Sequence, residues 1–499
     1  MYNHYKPLRN YLRRFDLWTG LGATYCYIQH LQFEKQLPDQ LSTPAIRAGN
    51  SKYKVGLFEH TIELLARELI LNAERQGGAK FSNANVAFKA MRMIHKLEDK
   101  TWGEHETRPQ DIMLQLSRIA FKQFPWQDPI TNGALSRYYM LYRFPPVAAM
   151  IEAEFGMTAA ELFQVILLLM EETSHVPTPA FAFLTAASPS IHDPISALRN
   201  RISMSAKELR EIMIERQSFD INWAYSFNPL REYPLVHAGN PLSTISPLPP
   251  VLIQRLTDGL YFDLIRSDKR FGNAIGQAFE AYVGEVAHTL LADQATLLPE
   301  ASWGSPEKRS VDWIIEDESG TLFVECKMAR LDIASQTEIS PEPAFLKAIS
   351  RLAENIGQLY SALQDALAGQ YPHWQCSGRP IHPAIVTFYN WFAFGPFFYQ
   401  HLDELVSKEF KKRCLEFDLL NRYPFFVCSI DEFEGLLTAC AAHSVDEVIV
   451  KKQTPQYRES IMRGFLAEEY PGSISNAWGI FENGLDAVID GPSRITRSS

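Results

Sequence analysis

The stretch TLFVECKMAR, residues 321–330, places an acid and a base two residues apart where an apolar run ends. Side chains alternate across a strand, so Glu325 and Lys327 share one face and Cys326 takes the other. The turn EDESG, residues 316–320, allows RSVDWII to fold back against TLFVECK as a hairpin and bring Asp312 alongside. Three charges inside apolar sequence are costly to bury unless they pair or hold a cation. Two carboxylates and a divalent ion would satisfy that need. A hard cation such as Mg²⁺ takes oxygen ligands and keeps several waters. A water on the metal loses its proton more readily, and a neighbouring lysine can orient it. In-line attack of that water on a phosphodiester requires these parts. An E-x-K triplet by itself also fits a surface ion pair on an edge strand. The apolar run before it, Asp312 and the short turn favour the chemical reading.

A third acid lies upstream. In GNAIGQAFEAYVGEV, residues 272–286, the apolar positions Ile275, Phe279, Tyr282, Val283 and Val286 continue a stripe begun at Phe271, and Glu280 borders it. Gly276 and Gly284 stand four residues either side of Glu280, on the same helical face. Glycine costs about 1 kcal/mol relative to alanine inside a helix. The pair therefore predicts that the helix backbone passes close to something, with the carboxylate-bearing strands as the natural neighbour. Glu285 points elsewhere, into solvent.

A helix with G-x-x-x-E, then V-D-W-I-I, then F-V-E-C-K resembles the PD-(D/E)xK nuclease superfamily, over roughly residues 265–390. The resemblance implies a restriction-endonuclease-like mixed central sheet with flanking helices. It also implies Mg²⁺- or Mn²⁺-dependent cleavage of nucleic-acid phosphodiesters. By position, Asp312 and Glu325 become metal ligands, Glu280 a ligand working largely through water, and Lys327 the residue that positions the attacking water. Related exonucleases carry a glutamine on the following helix, which matches Gln358. The tyrosine here is Tyr360, two residues on rather than four, and Val311 stands where a proline often precedes the aspartate.

The elements that must position these residues divide the chain in two. Residues 1–225 are expected to be a mainly α-helical region of unknown role. VGLFEHTIELLARELILNAERQG, NVAFKAMRMIHKLEDK, PQDIMLQLSRIAFKQF, MTAAELFQVILLLMEE and MSAKELREIMIERQ have apolar residues at helical spacing, with Ser205 as an N-cap for the last. Clustered prolines and a hairpin around Gly239-Asn240 mark the change of texture. Residues 226–499 are expected to form an α/β nuclease-like domain, with a core at about 265–390 and an extension over 391–499. Its strands are RSVDWII, TLFVECK, HPAIVTFYN, FFVCSI and VDEVIVKK. Its helices are RFGNAIGQAFEAYVGEVAHTLLA, PAFLKAISRLAENIGQLYSALQDALAG and DEFEGLLTACAAH. PAIVTFYNWFAFGPFFY reads as a buried strand followed by a loop.

The chain has 499 residues, 48 Lys and Arg against 58 Asp and Glu, and a net charge of −10. That balance argues against a general nucleic-acid coat but leaves room for a local basic groove. Lys269, Arg270, Lys308, Arg309, Arg330, Lys347 and Arg351 flank the motifs and are candidate phosphate contacts; Arg266 is a further basic residue nearby. The run KEFKKRC, residues 408–414, reads as a solvated helix face. The six cysteines are scattered without a zinc-type spacing, which fits reduced thiols in a cytoplasmic protein. LFQVILLLM is too short for the roughly 20 residues of a membrane span. No phosphate-binding G-x-x-x-x-G-K-[ST] loop is present, so no motor of the chain's own is expected. Two readings follow. One is a metal-dependent enzyme cutting DNA, with RNA as the second substrate, in a role such as restriction or phage defence drawn from analogy alone. The other is a non-catalytic module on a nuclease fold that binds nucleic acid, a partner protein or a second copy of itself.

Overall fold

A computed structural model describes residues 1–75, 77–103, 118–123, 126, 130–179, 181, 191–220, 222–305, 307–328, 342–391 and 395–489. The chain is mixed α/β, with a central mixed sheet covered by helices. The strands are β1 (Thr296–Pro299), β2 (Trp313–Glu316), β3 (Thr321–Lys327), β4 (Ile381–Thr387) and β5 (Phe426–Ser429), ordered β5-β4-β3-β2-β1. The β1–β2 and β2–β3 pairs are antiparallel, while β3–β4 and β4–β5 are parallel. A strand at the centre of such a sheet is covered on both faces, which explains the unbroken apolar run Leu322-Phe323-Val324.

One face of the sheet, with Ile315, Leu322, Val324, Cys326, Ala384 and Val386, packs on helix α2 (Phe271–Leu291) and helix α5 (Ile430–Ala442). The other face, with Val311, Ile314, Phe323, Ile381 and Ile385, packs on α3 (Glu342–Leu367) and α4 (Gly395–Arg413). The β2–β3 turn is set by Asp317, whose Oδ1 accepts the N–H groups of Ser319 at 2.7 Å and Gly320 at 2.8 Å. Its Oδ2 accepts the N–H of Val445 at 2.8 Å, so the same carboxylate tethers the start of α6 (Val445–Lys452).

Helix α6 corrects an expectation, since VDEVIVKK read as a strand. Val445, Val448, Ile449 and Lys452 are buried at helical spacing, and the Ser444 hydroxyl caps the helix by accepting the Glu447 N–H. The β-branched composition suited either structure; the cap decided it. GPFFY likewise begins α4 rather than closing a loop, with Phe398 and Tyr399 buried. The KEFKKR stretch forms the end of α4, where Lys408, Lys411 and Lys412 are exposed as expected.

The first half is helical over Tyr2–Leu12, Leu17–Phe33, Glu59–Asn72, Ala84–Gly103, Ala159–His175 and Ala206–Arg216, among others. Ser205 caps the last of these in a reciprocal capping box with Glu208. The expected hairpin joins Leu235–His237 to Thr244–Ile245. Of PQDIMLQLSRIAFKQF only residues 118–123 are described, and they are helical. Packing crosses residue 225 in both directions. Leu230, Val236 and Val251 join the core of the N-terminal helices, whereas Leu135, Val147, Ile166, Leu169, Leu198 and Ile202 contribute to the core shared by α2, α5 and the sheet. Residue 225 is therefore no seam between hydrophobic cores. Among the described residues no single helix is long and apolar enough to cross a membrane.

Candidate active site

Strand β2 starts at Trp313, opposite Val324 of β3. Continuing that register puts Asp312 across from Glu325. The Asp312 Oδ2 accepts the Cys326 N–H at 2.6 Å, which locks the aspartate onto the end of β3. Lys327 Nζ donates to Glu325 Oε1 at 2.6 Å. Glu280 approaches from α2, and Trp313 is what sets its distance. The indole Nε1 donates to the Glu280 carbonyl at 2.8 Å. A Cβ on Gly284 would stand 2.0 Å from Cζ2 of the same ring, so only glycine lets helix and strand meet here. Gly276, expected to serve the same purpose, has no neighbour within 4 Å of its Cβ position; the close approach is made on one side of Glu280 only.

These charges act on one another. Burial, then Glu325 and Glu280, push the Asp312 carboxyl up to about 8, against the opposing pull of the Cys326 N–H and Lys327. Glu280 is also raised, by burial first, then by Glu300 and Glu325. Burial would pull the Lys327 ammonium down, but Glu325 and Asp312 outweigh it and hold the group above its ordinary range. The Cys326 thiol is driven far up by burial and the neighbouring acids, so it is no nucleophile.

A stability prediction follows. Asp312 is protonated in the folded chain across the window between its unfolded value, near 4, and about 8. The folded state then binds the extra proton, so this group's contribution to stability is present below about pH 4 and is lost as pH rises through 8. In metal-free buffer Asp312→Asn should be more stable than wild type at pH 8.5, by at least about 1 kcal/mol, and the gap should close toward pH 5. Urea denaturation across that range measures it; a gap independent of pH would contradict the assignment.

Among the described residues, no group of three or more His, Cys, Asp or Glu side chains is already arranged as a metal shell. Asp312 spends one oxygen on a backbone N–H and Glu325 one on Lys327. The donor chemistry nevertheless suits a hard cation. The acids Glu280, Asp312, Glu325 and Glu300 face Lys327 and Arg309, and burial together with the carboxylate surplus raises Glu280, Glu300 and Asp312. A divalent ion would relieve that surplus.

The other predicted residues fare differently. Gln358 is exposed on α3, and no contact among the described residues brings it to the cluster; Tyr360 beside it is buried and donates to the Tyr423 carbonyl. Arg309 lies near the cluster, 3.4 Å from Glu300. Lys308 pairs with Asp365 of α3 at 2.8 Å. Arg270 pairs with Asp268 at 2.7 Å before α2, and Lys269 beside it is exposed. Lys347 and Arg351 are exposed on α3, and Arg330 lies outside the described residues. Sequence reasoning missed Glu300, the strongest charged neighbour of Glu280. Its one signal is the short apolar run TLLP before it, which forms β1. A cavity of about 1220 Å³ lies apart from this chemistry, since none of Glu280, Asp312, Glu325 and Lys327 lines it. Phosphodiester chemistry on a polymer needs an accessible charged cluster rather than a deep cavity. No family model, no curated protein and no solved structure matches this chain.

Proposed function

We propose that the chain is a metal-dependent nuclease that hydrolyses DNA phosphodiester bonds at this cluster. The observation that carries the reading is the convergence of Glu280, Asp312, Glu325 and Lys327, with the Asp312 carboxyl pushed up to about 8 by burial first and then by its acidic neighbours. The element order supports the resemblance to PD-(D/E)xK nucleases: a helix bearing Glu280, three antiparallel strands, a long helix and a parallel strand. Asp312 and Glu325 would hold Mg²⁺ or Mn²⁺ directly and Glu280 through water; the ion would supply an activated water and neutralise phosphate charge. Lys327 orients the attacking water and balances charge beside Glu325. Arg309, at the rim of the cluster, is placed to receive a phosphate.

Purified protein incubated with supercoiled plasmid, single-stranded DNA and single-stranded RNA, each with Mg²⁺, Mn²⁺ or EDTA, tests the proposal. Cutting of DNA with either metal and none with EDTA is the expected result. Binding without cutting in every metal condition would overturn it in favour of a non-catalytic module.

A further inference from the structure

The cavity of about 1220 Å³ lies between the N-terminal helices and the sheet unit, with Arg67 on one wall and Phe388 and Glu434 on another. Arg255, in the helix Pro249–Leu256, lines it and is 5% exposed. Its Nε donates to the Glu232 carbonyl at 3.1 Å and its Nη2 pairs with Asp263 at 2.7 Å. Its Nη1 has no acceptor among the described protein groups. A buried guanidinium N–H without an acceptor is costly, and Arg255 is part of the cavity wall. Asp263 is shared, with Arg266 at 3.0 Å and Arg201 at 4.0 Å. Arg201 is itself paired with Glu154 at 2.6 Å, so Arg255 and Arg266 are left to share the Asp263 carboxylate. Four residues before Arg266 on the same helical face, Phe262 also lines the cavity; the residue is 39% exposed, with Tyr261 edge-on to its ring at 5.6 Å. An exposed ring beside two guanidiniums offers a stacking surface next to an anion site. The volume exceeds what an inorganic anion fills and has room for an organic ligand.

We propose that this cavity binds a nucleotide, with its phosphate on Arg255 and Arg266 and its base against Phe262. The site is separate from the carboxylate cluster and does not depend on the cluster's chemistry. Isothermal titration of the full chain with ATP, GTP, CTP, UTP and AMP tests it, beside inorganic phosphate. At least one nucleotide should saturate at one per chain. Phe262→Ala and Arg266→Ala, both at exposed side chains and so compatible with folding, should each weaken binding by about tenfold. Asp312→Asn should bind as wild type does, which separates this result from any outcome of the cleavage assay. The proposal is overturned if no nucleotide saturates at millimolar concentration, if both variants bind like wild type, or if phosphate binds as tightly as the best nucleotide.

Discussion

Lys327→Ala should lower metal-dependent DNA cleavage by about 10²–10³-fold, the loss typical of removing one preorganised charge-stabilising donor. On this proposal DNA binding should change little, because phosphate contacts would come from other basic side chains. Lys327 is in direct contact with Glu325, and it stays charged because Glu325 and Asp312 overcome the effect of burial. Removing it raises the carboxylate surplus, so metal binding should tighten while turnover falls. Single-turnover cleavage at saturating Mn²⁺, with circular dichroism to verify folding, separates the two effects. Cleavage within about twofold of wild type would remove Lys327 from the chemistry; on the logarithmic scale that difference is well under 1 kcal/mol.

The second large effect concerns stability. Arg137→Ala should destabilise the protein by about 3–5 kcal/mol, because it leaves a buried charge without its partner. Arg137 lies in helix α1 (Asn132–Tyr142) and reaches Glu434 of α5 through two hydrogen bonds, Nε at 3.1 Å and Nη2 at 2.8 Å. Tyr282 of α2 donates to the same carboxylate at 2.6 Å. Burial alone would raise Glu434 further, and Arg137 opposes it. The network ties a helix of the first half to the helix that bears Glu280. Combining Arg137→Met with Glu434→Leu should recover most of the loss, since an apolar pair replaces a buried ion pair at little cost. Urea midpoints of the single and double variants measure this. Equal losses in both would mean that packing of the arginine stem, not charge, holds the helices together.

The candidate site was readable because its residues lie within short, strongly patterned segments. The β2–β3 hairpin follows from an apolar run, a short turn and alternation, and that register alone sets Asp312 across from Glu325. Gly284 showed that a helix passes close to something, though not that Trp313 is the neighbour. What escaped was set by longer-range packing. Glu300 follows a four-residue edge strand with almost no periodic signal. VDEVIVKK has the composition of a strand and becomes a helix through the Ser444 cap and the tether to Asp317. The boundary near residue 225 rested on prolines, yet the cores are assembled from segments on both sides of it. The central cavity has no sequence signature, because its walls come from residues more than 400 positions apart, such as His60 and Phe481.

Anomalous X-ray scattering from crystals equilibrated with Mn²⁺ locates the metal directly. The account predicts a peak at about 2.0–2.2 Å from one oxygen each of Asp312 and Glu325, absent in Asp312→Asn. A chain saturated with Mn²⁺ that shows no peak between those two carboxylates would contradict it.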